Sequence, residues 1–219
     1  MGRFVLAIDQ GTTGSTVALM DARGVLRGSV NFEFPQIYPQ PGWVEHRPTD
    51  IWHSVGKGIS AILRKKICKP SEIVAIGITN QRETALLWDR DTGEPLNNAV
   101  VWQCRRTTDF CESLRAAGHE QSVRRKTGLL LDPYFSASKF RWLLKNTRGI
   151  SRLLQSGRVA AGTIDSFLIW QLSGGDTHVS DVSNASRTSL MNLKTVSWDE
   201  QMLKLFQVPR EILPEIVPS

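Results

Sequence analysis

Apolar and β-branched residues form three short runs near the start of the chain, and polar, glycine-containing segments separate them. The segments at 9–14 and 21–24 carry the residues of tight turns, and short runs joined by such turns are typical of β-hairpins. We therefore predict three strands in an antiparallel meander, at Arg3–Ile8, Thr16–Met20 and Val25–Phe34.

The pattern then changes to helices interspersed with strands. Pro48-Thr49-Asp50 can open a helix, and apolar residues recur three and four apart as far as Lys66, which predicts one long helix. The continuous apolar run Ile73–Thr79 is typical of a strand buried on both faces. Further strands are predicted at Thr84–Trp88, Ala99–Trp102 and Val159–Gly162, and helices near Thr107–Ala117, Ser136–Asn146, Ile164–Leu172 and Trp198–Phe206. A sheet that begins antiparallel and continues through strand–helix–strand units predicts a mixed α/β fold.

Composition and charge exclude some classes of function. The 219 residues are 41% hydrophobic and 22% charged, as in an ordinary globular protein, and the net charge is +6. Neither aromatic platforms nor a nucleic-acid motif accompany the short basic runs, so no nucleic-acid partner is predicted. A basic surface can still attract anionic substrates such as nucleotides.

The cysteines and the first residues indicate the compartment. Cys68, Cys104 and Cys111 include no CxxC pair, so free thiols in a reducing compartment are predicted. The first residues resemble neither a signal peptide nor a membrane span. We expect a cytoplasmic protein with no membrane span.

The segment AIDQGTTGST, residues 7–16, has the small residues of a phosphate-binding loop but no lysine. Neither GxxxxGK[ST] nor GxGxxG opening a helix is present. Small residues let a backbone approach a ligand closely, and the N–H groups of a tight turn can bind an anion. Asp9 offers a hard oxygen ligand to Mg²⁺, which bridges to phosphate oxygens. The motif alone is equally compatible with a plain hairpin turn capped by Asp9.

A second group of residues begins in TNQRET, residues 79–84, where Arg82 and Glu83 lie between two predicted strands. Strand alternation need not apply there, so both side chains can face one pocket. Arg donates and Glu accepts, which suits the adjacent hydroxyls of a small polyol. Trp102 and Tyr134 would add an aromatic face and a phenol hydrogen bond. From the residues alone, an exposed ion pair and two core aromatics are the simpler interpretation.

Long stretches of the chain resemble one family. IDQGTTGST is similar to the first phosphate loop of the actin-like ATPase superfamily, in the form found in the FGGY carbohydrate kinases. Six more stretches resemble the members of that family that phosphorylate glycerol: PGWVEHRPTDIW, AIGITNQRETALLWDRDTGEPL, NAVVWQCRRT, TGLLLDPYFSASKFRWLL, GTIDSFLIWQL and SNASRTSLMNL. These matches extend from one end of the chain to the other, although the residue types of SNASRT indicate no chemistry by themselves.

The resemblance implies a ribonuclease H-like, or actin-like ATPase, domain with a mixed central sheet flanked by helices. Residues 1–219 would be the N-terminal, substrate-binding domain, and the C-terminal nucleotide-binding domain would be absent. The implied reaction is ATP-dependent phosphorylation of glycerol to sn-glycerol 3-phosphate, with Mg²⁺, in a homo-oligomer when full length. The catalytic base, an Asp, would lie beyond residue 219, so we expect this chain alone to be inactive.

The resemblance also implies roles for nine residues. The glycerol site would consist of Arg82, Glu83, Trp102 and Tyr134. Nucleotide phosphate would be bound by Gly11, Thr12, Thr13 and Gly14, and Asp9 would act in catalysis as the Mg²⁺ ligand. Two positions depart from the commonest pattern. Gly14 replaces a serine, and Thr16 replaces an arginine that reaches toward nucleotide phosphates, which puts nucleotide affinity in doubt.

Three alternatives stay open. Another FGGY kinase would act on a pentulose or on gluconate, and a substrate panel would separate it. An actin-like or chaperone-type nucleotide switch would share the first loop but would have no use for NQRET. A non-catalytic domain serving in assembly is the third, against which the presence of Asp9, Arg82 and Glu83 argues.

Overall fold

The computed structural model describes residues 3–219. The chain forms two compact units. The first comprises Met1–Gln36 and Arg47–Gln81, and the second Ile37–His46 and Arg82–Ser219. Strands and helices occur in both, which confirms the mixed α/β prediction.

The strands, in chain order, are β1 (Phe4–Gln10), β2 (Gly14–Asp21), β3 (Leu26–Glu33), β4 (Glu45–His46), β5 (Ile73–Asn80), β6 (Leu86–Asp89), β7 (Ala99–Val100), β8 (Val159–Gly162), β9 (Val179–Asp181), β10 (Met191–Asn192), β11 (Ser197–Trp198) and β12 (Glu215–Val217). The α-helices are α1 (Pro48–Arg64), α2 (Thr108–Ala116), α3 (Glu120–Thr127), α4 (Ser136–Asn146), α5 (Ile150–Gln155), α6 (Ile164–Leu172), α7 (Val182–Ala185) and α8 (Glu200–Phe206). Short 3₁₀ turns lie at Pro70–Glu72 and Arg210–Ile212.

The first unit contains a four-stranded mixed sheet in the order β3-β2-β1-β5. β1, β2 and β3 are the predicted antiparallel meander, and β5 runs parallel to β1. Helix α1 packs across β2 and β3. It begins with Pro48, whose fixed φ suits a first helical position, and it buries Ile51, Val55 and Ile62 against the sheet.

The prediction that the run Ile73–Thr79 is buried on both faces is wrong. Val74 is 54% and Ile76 49% exposed. The reason is topological, because β5 is an edge strand of the sheet while α1 covers β2 and β3. The apolar run therefore predicted the strand correctly, but it predicted the wrong degree of burial for that strand.

The second unit consists of paired short strands and helices α2 to α8. The pairs are β4 with β7, β6 with β8, β9 with β12 and β10 with β11. β6 and β8 are buried along their whole length, as continuous apolar strands should be. The predicted helix at Trp198 begins later, at Glu200, because Trp198 pairs with Met191 and Asp199 caps the helix.

A helix that spans a membrane must be both long and apolar. None of the helices in residues 3–219 has both the length and the apolar character that a membrane crossing requires.

Candidate active site

The turn between β1 and β2, residues 11–13, has a fixed backbone. The Gly11 N–H donates to the Gly14 carbonyl at 2.8 Å and closes the turn. The Gly11 carbonyl accepts hydrogen bonds from Gln10 Nε2 at 2.6 Å and from Gln81 Nε2 at 3.3 Å. A backbone held in this way loses little freedom when it binds a ligand. The turn is therefore a preorganised loop at the end of a strand.

A row of polar side chains crosses one face of the same sheet. Asp9 pairs with Thr16 on β2 and with Thr79 on β5, and Thr16 pairs with Asn31 on β3. Directly paired residues point to the same face of a sheet. Asn31 Nδ2 donates to Thr16 Oγ1 at 2.9 Å, while Asp9 is exposed. The row thus presents one carboxylate next to the turn.

The exposed carboxylate of Asp9 limits the kind of metal site that this polar row can provide. Among residues 3–219 no three His, Cys, Asp or Glu side chains are grouped to hold a metal ion. Mg²⁺ in phosphate-transferring sites is bound through one or two carboxylates, and waters and substrate phosphates complete its ligands. The donor set around Asp9 fits a Mg²⁺ ion that arrives with a nucleotide, and it does not fit a structural metal.

In the second unit, Glu83 has a backbone conformation that residues other than glycine seldom adopt. Its φ is +62°, in the left-handed region, which costs on the order of 1 kcal/mol for a side chain of this kind. Ser136 Oγ donates to the Glu83 carbonyl at 3.1 Å and holds it there. Glu83 is buried and its neighbour Arg82 is exposed. The segment lies outside the strands, as predicted.

The charge partner of Glu83 comes from a distant part of the chain. Arg187 Nε donates to Glu83 Oε1 at 2.6 Å, across 104 positions of sequence. The guanidinium carbon lies 5.0 Å from the ring centroid of Phe135 and 5.8 Å from that of Tyr134. In the described part of the chain, Arg82 makes no hydrogen bond or ion pair. Glu83 is thus coupled to Arg187 and not to its sequence neighbour.

Trp102 and Tyr134, the two predicted aromatic residues, lie together. Their ring centroids are 5.5 Å apart with an interplanar angle of 59°. The Trp102 N–H donates to Thr84 Oγ1 at 3.3 Å, and the Tyr134 N–H donates to Asp132 Oδ1 at 2.8 Å. Each ring is therefore carried on a backbone that a neighbouring side chain fixes, and both rings are half-buried.

Lys139 supports the aromatic pair from inside the protein. It is fully buried, and its Nζ donates to the Tyr134 carbonyl and, at 3.0 Å, to the Phe135 carbonyl. Burial lowers the pKa of Lys139 to about 7, and the nearby Glu83 charge opposes that effect. Sequence reasoning missed this lysine. The available signal was its position four residues before the buried Leu143 of α4.

Comparison with known proteins identifies the family of the chain. The N-terminal domain of the FGGY family of carbohydrate kinases matches residues 4–219. The chain belongs to this family. Glycerol kinase from Bdellovibrio bacteriovorus is 53% identical over all of this chain, and that from Koribacter versatilis is 51% identical over 99% of it. The chain spans 44% and 43% of the length of these two relatives.

Solved FGGY structures have the same fold. The crystal structure of Plasmodium falciparum glycerol kinase with ADP superimposes with a TM-score of 0.90 at 36% identity, covering 98% of this chain and 43% of that one. Gluconate kinase from Lactobacillus acidophilus gives a TM-score of 0.86 at 27% identity, covering 99% of this chain and 42% of that one. The expected actin-like ATPase fold is confirmed.

Gly14 and Thr16, the two positions at which the resemblance implies a departure, have different structural settings. A Cβ on Gly14 would lie 2.9 Å from the Phe32 carbonyl oxygen and 3.1 Å from the Glu33 Cα. These backbone atoms cannot rotate away, so β3 leaves no room for a serine here. Thr16 instead sits in the polar row beside Asp9, where the side chain of an arginine would bring a cation to that carboxylate.

Proposed function

We propose that this FGGY chain is the N-terminal portion of a glycerol kinase, which transfers the γ-phosphoryl group of ATP to glycerol and forms sn-glycerol 3-phosphate. One observation carries the proposal. Relatives named glycerol kinase are 47–53% identical to the chain over nearly its whole length. Among solved structures, a glycerol kinase is 36% identical, whereas a gluconate kinase and a xylulose kinase from Lactobacillus acidophilus are each 27% identical.

The proposed glycerol site lies in the second unit. Glu83 accepts a hydrogen bond from one hydroxyl, Tyr134 and Arg82 bind the others, and Trp102 packs against the carbon chain. Such a site rejects analogues that lack the hydroxyls, because its buried polar groups would then lose their partners. The buried position of Glu83 and the contact between Trp102 and Tyr134 support this assignment.

The proposed phosphate site lies in the first unit. The turn formed by Gly11, Thr12, Thr13 and Gly14 binds the phosphates of ATP through backbone N–H groups and the two threonine hydroxyls, while the Gly11 N–H closes the turn itself. Asp9 holds Mg²⁺. When bound, the ion neutralises charge on the phosphates during transfer. A fixed turn and an exposed carboxylate near the end of β1 support the assignment.

The rest of the catalytic machinery is proposed to lie outside these 219 residues. A C-terminal domain would bind the adenosine. An Asp would accept the proton of the attacking glycerol hydroxyl. The hydroxyl oxygen then bonds to the γ-phosphorus while the bond between that phosphorus and ADP breaks. We further propose a cytoplasmic location, since ATP is the donor, and a homo-oligomer for the full-length protein, as the family resemblance implies.

The test uses the full-length protein, meaning this chain extended through the C-terminal domain of its relatives. ADP release is measured with glycerol, gluconate and xylulose, and glycerol is expected to give the highest kcat/KM. Arg82→Ala is expected to raise the glycerol KM far more than the ATP KM. The 219-residue chain alone is expected to form no sn-glycerol 3-phosphate above a blank.

A second candidate is a kinase for a larger polyol, favoured by the TM-score of 0.86 with a gluconate kinase. A higher kcat/KM for gluconate or xylulose than for glycerol would replace the proposal with this candidate.

A further inference from the structure

Arg187 lies in SNASRT, the stretch whose residue types indicate no chemistry by themselves. In the fold its guanidinium touches several groups of the proposed polyol site. It forms an ion pair with Glu83 at 2.6 Å and lies over the rings of Phe135 and Tyr134. The Arg187 side chain therefore connects the Glu83 carboxylate to the rings of Tyr134 and Phe135.

This contact differs from an ordinary surface ion pair. The Arg187 side chain is 29% exposed and that of Glu83 only 3%, so the carboxylate has exchanged water for the guanidinium. Charge-assisted hydrogen bonds of this length are strong and directional. A guanidinium within about 6 Å of aromatic rings is attracted to their faces as well. Loss of the cation would leave a buried carboxylate without a partner.

The backbone around Arg187 is anchored to α4, the helix whose first residue also holds the Glu83 carbonyl. The Arg187 N–H donates to the Asn184 carbonyl at 3.0 Å, and the carbonyl of Thr188 accepts from the Ala137 N–H at 2.8 Å. Ala137 belongs to α4, whose first residue, Ser136, holds the Glu83 carbonyl. Arg187 and Glu83 are therefore positioned by one common element.

We propose that Arg187 is a positioning residue of the polyol site. It aims the Glu83 carboxylate at a substrate hydroxyl and fixes the distance between Glu83 and Tyr134. The inference rests on the proposed kinase function. Because the contact acts on the bound polyol, its loss weakens polyol binding and leaves nucleotide binding unchanged.

The experiment measures both KM values and the melting temperature of full-length variants. Arg187→Met keeps the aliphatic stem and removes the charge, and Arg187→Lys restores a charge without the planar fork. The matched control is Arg158→Met, which breaks a similar ion pair: Arg158 Nη2 lies 2.5 Å from Asp89 Oδ2, and the two side chains are 38% and 9% exposed.

Arg187→Met is expected to raise the glycerol KM about tenfold or more, the equivalent of about 1.4 kcal/mol of binding, with the ATP KM within about twofold of wild type. Arg187→Lys is expected to recover part of that loss. Arg158→Met is expected to lower the melting temperature and to leave both KM values unchanged.

A glycerol KM for Arg187→Met that stays within twofold, or a parallel rise in the ATP KM, overturns the inference. If Arg187→Met does not fold, Arg187→Lys is used instead. It is expected to raise the glycerol KM threefold or more, and a smaller rise, or an equal rise in the ATP KM, overturns the inference. If the wild type prefers another polyol, the proposed function fails by itself, and the variants are compared on that polyol.

Discussion

Two residues at or behind the proposed polyol site, Glu83 and Lys139, are held in costly arrangements. Glu83 takes a left-handed backbone conformation and pairs with Arg187. Lys139, fully buried, binds the backbone behind Tyr134. Strained backbone and buried charge both cost folding free energy, and proteins keep them mainly where function requires a fixed geometry. At Glu83 this cost falls on a residue that would meet the substrate, and at Lys139 on one that supports the backbone behind it.

The glycine at position 14 makes the first prediction. A Cβ there would lie 2.9 Å from the Phe32 carbonyl oxygen, so Gly14→Ala must push β2 and β3 apart. Overpacking of this kind costs about 1–3 kcal/mol, and we expect a melting temperature several degrees lower in thermal unfolding followed by circular dichroism.

Gly77→Ala is the matched control, since Gly77 also lies in a strand and a Cβ there would meet nothing within 4 Å. It is expected to leave the melting temperature unchanged or to raise it, because alanine loses less backbone freedom on folding than glycine. Equal stability changes in the two variants would show that crowding at position 14 is not the cause.

At the scale of whole elements, periodicity was sufficient wherever one face of an element is buried by its immediate neighbours. The meander, α1 and α4 were predicted in this way, because local alternation and helical spacing determine which face is apolar. The exposure of β5 was not predicted correctly, because an apolar run does not reveal whether a strand lies in the centre or at the edge of a sheet. The start of α8 moved because Trp198 pairs in a hairpin.

The residues of the candidate site likewise fall into those with a local sequence signal and those placed only by tertiary packing. Asp9 and Glu83 could be proposed from the sequence because each stands next to a recognisable local signal, a glycine turn or a break between strands, and the family resemblance then implied their roles. Arg187 and Lys139 carried no such signal. A pairing across 104 positions is decided by tertiary packing, and a lysine in a helix is normally read as solvent-exposed.

Helix α1 offers a test of its packing with two glycines that lie two positions apart, Gly56 and Gly58. A Cβ on Gly58 would lie 2.4 Å from Cγ2 of Val17, whereas a Cβ on Gly56 would meet nothing within 4 Å. Gly56→Ala is expected to stabilise the protein by up to about 1 kcal/mol through helix propensity. Gly58→Ala is expected to destabilise it by about 1–3 kcal/mol in spite of that propensity, as measured by urea denaturation.

A double-mutant cycle with Val17→Ala separates crowding from propensity. Shortening Val17 removes the clashing methyl group, so Gly58→Ala is expected to cost less free energy of unfolding in the Val17→Ala background than in wild type. Additive effects would mean that Gly58 is required for a reason other than its contact with β2.

On the scale of the whole molecule, two histidines in the second unit, the buried His46 and the half-buried His178, couple folding to pH. Burial lowers the pKa of His46 to about 4. Burial and the charge of Arg90 lower the pKa of His178 to about 4 as well, although its Nε2 hydrogen bond to the Ala161 carbonyl, at 3.0 Å, acts in the opposite direction. Both rings are therefore neutral in the folded protein at pH values where the unfolded chain would bind a proton.

The sign of the pH dependence follows from those values. Because the unfolded state binds more protons than the folded state between pH 6.5 and about 4, the stability due to each neutral histidine is fully present above pH 6.5 and is lost as the pH falls toward 4. A difference of about 2.5 pKa units corresponds to roughly 3 kcal/mol for each histidine. Unfolding in acid should thus begin well above the pH at which carboxylates are protonated.

His178→Phe tests this coupling, because a phenyl ring can keep the packing of His178 against Trp88 and Trp170 while removing the titrating group. The variant loses the hydrogen bond to Ala161, so we expect it to be less stable than wild type at pH 7. As the pH falls to 4, its urea midpoint should decrease less steeply, and the two curves should converge. The exposed His53 is the control, and His53→Gln is expected to follow the wild-type curve. Parallel curves for His178→Phe and wild type across this range would mean that His178 binds its proton equally well in both states, and the acid sensitivity would then have to come from other groups.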